Sequence, residues 1–211
     1  MSAPETSENR RPLTSRNSAW AARLASWAVA REITPNQISQ ASMVFAALGF
    51  LLFWLSTNGG ILQFLCLILA AATVQARLVC NLIDGMVAIE GGKGAKDGPF
   101  WNEAPDRVSD LLFFAGAGLA AGRPDLGLLA AALAVATAYI RELGRAEGFA
   151  PDFSGPLAKP QRMAVLTAGT ILAALYATGW TLTATLWIIV VGTAITILRR
   201  SLTLIGKLKS R

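Results

Sequence analysis

Long apolar runs alternate with short polar breaks along this chain. The runs approach the roughly 20 residues that a helix needs to cross a membrane. Six such runs lie at residues 38–57, 61–83, 107–122, 126–146, 161–178 and 181–198. The third is short and begins among charged residues. Thr34-Pro35 reads as an N-cap followed by the first helical residue. The second helix has no break from Ile61 to Gly91-Gly92. About 30 helical residues reach about 45 Å, more than the hydrocarbon core of about 30 Å. This helix therefore projects beyond the core and carries Asn81, Asp84 and Glu90 near its end. Gly91–Gly98 reads as a glycine- and lysine-rich loop, and the next helix starts near Trp101 or Asn102.

The flanks differ from this pattern. Residues 1–17 are polar and rich in proline and arginine, the composition of a disordered tail. Over residues 18–32, Trp20, Leu24 and Trp27 recur at i, i+4 and i+7 beside Arg23 and Arg31. That stripe suits a helix lying in the membrane interface, with packing on the protein's polar side as the alternative. Residues 201–211 set Leu202, Ile205 and Leu208 between basic residues, as either an amphipathic tail on anionic lipid or a frayed end. The expectation is an all-α polytopic membrane protein. It has six transmembrane helices in one domain (33–200), an N-terminal interfacial amphipathic helix (18–32), a tail at 1–17 and a basic C-terminal tail at 201–211.

Composition agrees. Hydrophobic residues make up 54% of the chain and mean hydropathy is +0.48. Charge adds orientation. With an inside amino terminus and six spans, the outer loops are Thr57–Gly60, Gly122–Asp125 and Gly179–Thr181. Of 19 lysines and arginines, these loops hold only Arg123. This positive-inside asymmetry puts both termini in the cytoplasm, in a cell (inner) membrane. No basic soluble domain is left to bind nucleic acid. Cys66 and Cys80 lie about 21 Å apart on one helix at 1.5 Å per residue, too far for a disulfide. The chain has no histidine, so acid–base chemistry falls to carboxylates.

The carboxylates are placed where that matters. A carboxylate in apolar surroundings is costly unless it is paired or binds a cation. Asn81 and Asp84 share one helix face, and Asn102, Asp106 and Asp110 share another. Two such helix ends meeting would gather oxygen ligands for Mg²⁺, Mn²⁺ or Ca²⁺, and Gly85 would let the backbones come close. The bland alternative is a set of solvated charges pairing with Lys93, Lys96 or Arg107. A second, basic set follows: Arg141 and Arg145 one turn apart, then Lys159 and Arg162. Guanidinium forks suit phosphate, although Glu142 and Glu147 are ready partners for the same arginines.

The segment N-L-I-D-G-M-V-A-I-E-G-G-K-G-A-K-D-G-P-F-W-N-E-A-P-D, residues 81–106, resembles the signature of the CDP-alcohol phosphotransferase family, D-x2-D-G-x2-A-R-x8-G-x3-D-x3-D. The spacing matches throughout. Asp84, Gly85, Ala88, Gly98 and Asp106 are kept, while Asn81 and Asn102 replace aspartates and Ile89 replaces the arginine. Ile33–Asn36, Tyr139–Gly148 and Gly155–Met163 resemble further family segments, so the likeness covers roughly residues 33–165.

The resemblance implies a homodimeric enzyme that moves a phosphatidyl group from CDP-diacylglycerol to a small alcohol and releases CMP, using Mg²⁺ or Mn²⁺. By position, Asn81, Asp84, Asn102 and Asp106 are the metal ligands and Asp106 is also the general base. Asp84, Gly85, Ala88 and Gly98 lie at the nucleotide. Arg141, Arg145, Lys159 and Arg162 would hold a phosphate, which favours a phosphorylated acceptor. Glu103 or Asp110 would compensate for the lost acids, and Arg77, Lys93 or Lys96 for the lost arginine. Three alternatives remain open: a CDP-aminoalcohol enzyme acting on a lipid alcohol, a catalytically silent CDP-lipid-binding protein, and a small transporter.

Overall fold

The structure, a computed structural model, describes residues 18–90 and 96–211, except for the Glu90 side chain. The expected tail at 1–17 and Lys93 lie outside the described residues, as does most of the loop before Gly98. The described residues form helices: α1 (Ala19–Ala30), α2 (Pro35–Leu55), α3 (Gly60–Glu90), α4 (Gly98–Ala120), α5 (Pro124–Ala146), α6 (Lys159–Leu175) and α7 (Thr178–Lys209), with a short 3-10 turn at Ser56–Asn58.

Local chemistry accounts for several of these ends. At α2, the Thr34 hydroxyl accepts from the Gln37 amide while the Gln37 side chain accepts from the Thr34 amide. This reciprocal cap satisfies two donors that a helix start leaves unpaired. Proline occupies the first turn of α2, α4, α5 and α6, where its missing N–H costs nothing. Gly122 (φ +69°) provides the left-handed residue between α4 and α5.

Two boundaries differ from the sequence reading. Helix α4 begins at Gly98, three residues before Trp101, because a proline at position 99 is compatible with a first turn. Residues 201–209 do not leave the bundle as a tail; they continue α7, and Leu204 is buried.

Helices α2 to α7 form a closed ring. Around it, α3 packs on α2, α2 on α4, α4 on α5, α5 on α7, α7 on α6, and α6 returns to α3. Helix α1 lies outside the ring against α3, burying Ala21, Ala25 and Ala28 while Trp20 and Trp27 face outward. One end of the ring interior is apolar, filled by Phe53, Leu67, Phe114, Leu126, Leu182 and Leu186. Four helical segments are long and apolar enough to cross a membrane: Pro35–Asn58, Gly60–Ile89, Pro124–Ala146 and Thr178–Lys209. The outer faces carry exposed Leu69, Trp180, Ile188 and Leu198, as expected where lipid is the solvent.

Candidate active site

The other end of the ring is polar, and every helix of the ring contributes to it. On α3, Arg77, Asn81 and Asp84 are spaced four and three residues apart, so they share a face. The first turns of α4 add Glu103, Asp106, Arg107 and Asp110. Ser39 comes from the start of α2, Thr137 and Arg141 from the end of α5, Lys159 and Arg162 from the start of α6, and Arg200 from the distal part of α7.

Asp84 is 8% exposed. One of its oxygens accepts from the Ser39 hydroxyl at 2.9 Å and the other from the Gly85 amide at 2.6 Å. Asp106 Oδ1 accepts from Arg77 Nη2 at 2.7 Å and from Asn81 Nδ2 at 2.6 Å, and its Oδ2 pairs with the Lys159 ammonium. Asp110 is buried between two guanidinium groups, 3.6 Å from Arg77 Nη2 and 3.5 Å from Arg162 Nη2. Arg77 itself is completely buried. Desolvation on this scale is tolerated only when opposite charges meet closely, so the cluster holds together as a network. Removing one member leaves a partner stranded.

A second group lies toward the mouth. Glu103 accepts from Arg141 at 2.6 Å and also pairs with Arg107. The Arg141 guanidinium rests 5.6 Å from the centre of the Phe153 ring, a cation–π distance. Arg162 Nη1 donates to Thr137 Oγ1 at 3.1 Å and to the Leu157 carbonyl at 3.2 Å. Arg200 ties the loop before α6 to the bundle through the Ser154 carbonyl (2.9 Å) and the Thr137 carbonyl (3.2 Å). In that loop, partial burial pushes the Asp152 carboxyl up. Hydrogen bonds from Ser154 and the charges of Arg200 and Lys207 outweigh burial and hold it below the usual range. A small open cleft lies among Arg107, Arg141, Phe153, Lys159, Arg162 and Arg200. It is lined by cations, and so by chemistry for an anion.

The structure thus brings Asn81, Asp106 and Lys159 into contact, and lets Arg77 and Lys159 act on Asp84 electrostatically. Asp110 and Arg162 lie directly behind them. Four expected residues make no hydrogen bond or ion pair with these side chains among the described residues. Asn102 is exposed, with no hydrogen bond to Asp84 or Asp106 among the described residues. Arg145 is exposed and pairs with Glu142. Ala88 is half-buried, and Gly98 opens α4. Ile89 is 60% exposed, so the position of the missing arginine lies on the outer surface of α3. Glu103 is engaged by Arg107 and Arg141 rather than by the Asp84 side of the site.

Sequence reasoning passed over Ser39 and Arg200, and it gave Arg77 only a minor place. A charge within an otherwise apolar helix, one turn before Asn81, was the available signal for Arg77. Ser39 had none.

Among the described residues, no three acidic, cysteine or histidine side chains form a ready metal cage. Asp84, whose oxygens accept only from neutral donors, fits an ion such as Mg²⁺, which binds through one or two carboxylates and completes its shell with water and substrate phosphate.

No family model matches the sequence. The phosphatidylinositol phosphate synthase of Mycolicibacterium smegmatis is 29% identical over 142 residues, covering 62% of this chain and 62% of that protein. The Mycobacteroides abscessus protein of the same name is 27% identical over 127 residues, 57% of each. The match therefore spans about three fifths of the length of these relatives. The Mycobacterium tuberculosis phosphatidylinositol phosphate synthase with CDP-DAG bound shares the fold at TM-score 0.74, over 89% of this chain and 94% of that one, at 21% identity. Its complex with manganese and citrate gives TM-score 0.73 over 87% and 88%. The chain is thus similar in sequence to phosphatidylinositol phosphate synthases over about three fifths of its length, and it shares its fold with one. Against the signature it resembles, it has Asn81 and Asn102 at two aspartate positions and Ile89 at the arginine.

Proposed function

We propose that this CDP-alcohol phosphotransferase relative is an integral membrane enzyme. It transfers a phosphatidyl group from CDP-diacylglycerol to a small phosphorylated alcohol and releases CMP. One observation carries the reading: a fold shared with a protein solved with CDP-DAG bound, in a chain that keeps Asp84, Gly85, Gly98 and Asp106 at the signature spacing. A divalent ion, Mg²⁺ or Mn²⁺, would neutralise the diphosphate and the leaving phosphate oxygen, held by Asp84 with Asp106 and with Asn81 and Asn102 as neutral donors. The nucleotide would lie along Asp84, Gly85, Ala88 and Gly98. Gly85 and Gly98 lack side chains that would crowd it.

Asp106 is the group for the acceptor hydroxyl proton. Its contact with Lys159 occupies one of its oxygens while that contact lasts. A phosphate in the cationic cleft would compete for Lys159 and free one Asp106 oxygen to accept the proton. Arg141 and Arg162 line the same cleft and would orient that phosphate with their forked donors. This favours an acceptor such as inositol phosphate or glycerol phosphate over a neutral alcohol. Arg145 would add only long-range attraction at the rim.

The same reading gives six crossings by α2–α7, α1 lying in the interface, both termini in the cytoplasm of an inner membrane, and a homodimer. The test is CMP release by purified protein in nanodiscs with CDP-diacylglycerol, Mg²⁺ or Mn²⁺, and a panel of acceptors. Release that needs metal, Asp106 and a phosphorylated acceptor is the expected result, with Asp106→Asn reduced at least 100-fold. No release with any acceptor, from protein shown to be folded, would leave a silent CDP-lipid-binding protein. The saturation of Asp106 by Arg77, Asn81 and Lys159 is the observation that favours that second reading.

A further inference from the structure

The positive charge that the signature's aspartates would draw from metal ions is partly built into this chain. Aspartates at positions 81 and 102 would make four carboxylates at the signature positions; here there are two, Asp84 and Asp106. Beside one of them stands a fixed cation. Arg77 lies one turn before Asn81 on α3, with none of its surface exposed. Its Nη2 is 2.7 Å from Asp106 Oδ1 and 3.6 Å from Asp110 Oδ1. Asn81 turns its amide nitrogen to the same Asp106 oxygen at 2.6 Å, and Lys159 takes the other oxygen. Asp84 is different. It accepts hydrogen bonds from neutral donors, the Ser39 hydroxyl and the Gly85 amide.

We infer that Arg77 replaces one metal charge, so that this site holds a single divalent ion, on the Asp84 side, completed by the oxygens of a nucleotide diphosphate. The inference rests on the transferase reading, since it presumes a CDP-linked ligand. Three features argue for it. Arg77 is a permanent cation, because a guanidinium does not lose its proton in proteins. It cannot leave without taking one of two cations from each of two carboxylates, Asp106 and Asp110, which is costly away from water. Its Nε and Nη1 have no hydrogen-bond partner, so a fully buried guanidinium keeps donors for an anionic oxygen, the kind of ligand that would also complete an ion at Asp84. A second ion would have to approach Asp106 against this charge. The amides of Asn81 and Asn102 offer no negative charge to attract it. Loss of two aspartates and a buried arginine next to a third are thus one electrostatic exchange.

The experiment counts ions. Full-length protein in nanodiscs is titrated with Mn²⁺, following free Mn²⁺ by electron paramagnetic resonance, with saturating CDP as the nucleotide probe and CDP binding measured separately by calorimetry. The expected result is one Mn²⁺ per chain with CDP bound, and two in an Asn81→Asp/Asn102→Asp variant. Arg77→Lys, which keeps a charge at the same place, should stay at one. Two ions per wild-type chain, with CDP bound, would overturn the inference and leave the transferase reading standing. A double variant that stays at one ion would overturn the exchange between arginine and aspartate. CDP binding with no ion would overturn the single site. Neither CDP nor Mn²⁺ binding, from folded protein, would remove the transferase reading together with the inference.

Discussion

At the residue scale, two arginines one turn apart differ in what they face. Arg141 faces the cleft, with Glu103 and Phe153 as its supports. Arg145, one turn on, is exposed beside Glu142. A charge-assisted hydrogen bond contributes roughly 1.5–3 kcal/mol, which is about 10- to 100-fold in affinity. Arg141→Gln should therefore raise the KM for a phosphorylated acceptor by about 10-fold or more and leave the KM for CDP-diacylglycerol nearly unchanged. Arg145→Gln should behave almost as wild type, because exposed pairs are worth about 1 kcal/mol or less. Equal effects from the two variants, in steady-state assays that vary one substrate at a time, would sink the distinction. The sequence offered both arginines on equal terms, since spacing tells which residues share a helix face but not which face meets the cleft. The same limit hid Ser39. A serine near a helix start has many uses, and only packing of α2 on α3 brings its hydroxyl to the Asp84 carboxylate. Asp84 and Asp106 were legible because a carboxylate in an apolar chain needs a reason.

At the element scale, helices approach one another where glycine allows it. A side chain on Gly127 of α5 would meet the Phe114 carbonyl oxygen at 2.5 Å and the Gly118 Cα at 2.8 Å, both backbone atoms of α4. Backbone cannot yield as a flexible side chain does, so Gly127→Val must push α5 away from α4. Overpacking of this kind costs about 1–3 kcal/mol. It also acts at a distance, because α4 carries Asp106 and α5 carries Arg141, so displacement opens the cleft. Gly127→Val should lower the thermal midpoint in detergent by several degrees and cut CMP release. Gly206→Ala, where nothing lies within 4 Å, should be neutral or slightly stabilising, since alanine in a helix interior gains about 0.5–1 kcal/mol over glycine. A Gly127→Val protein as stable as wild type would remove the close contact. The helices themselves were readable from apolar runs and caps, and Thr34-Pro35 was correct in detail. The end of α7 was not. Basic residues near a terminus look like a tail, yet Leu204 is buried and the helix runs to Lys209. Burial against α5, which packs on α7, decides that end, and local sequence does not record it.

At the scale of the whole molecule, the proposed six crossings rest on the charge network more than on apolarity. Only four helical segments qualify by length and hydropathy among the described residues. Helix α4 does not, since its first half carries Glu103, Asp106, Arg107 and Asp110; α6 has only 17 residues and begins with Lys159 and Arg162. Those charges need not face lipid. Asp106 and Asp110 meet Arg77, Lys159 and Arg162 inside the ring, so a hydropathy average counts as polar what the bundle neutralises. If only the four apolar segments crossed, the start of α5 would lie on the cytoplasmic side and its end on the other. Arg141 would then be a membrane thickness from Glu103, whereas the two side chains are 2.6 Å apart. The proposed six crossings would keep them together and would put Asp125, at the start of α5, outside. Asp125→Cys should therefore react with a membrane-impermeant maleimide from the outside of intact cells, in a background with Cys66 and Cys80 replaced by alanine. Ser210→Cys should react only after the membrane is opened. The Asp125–Arg123 pair lost in this variant is an exposed one, and such pairs contribute little to stability, so the fold should survive the change. Labelling of both positions only after opening would return α4 and α6 to the cytoplasmic face and break the ring on which the site depends.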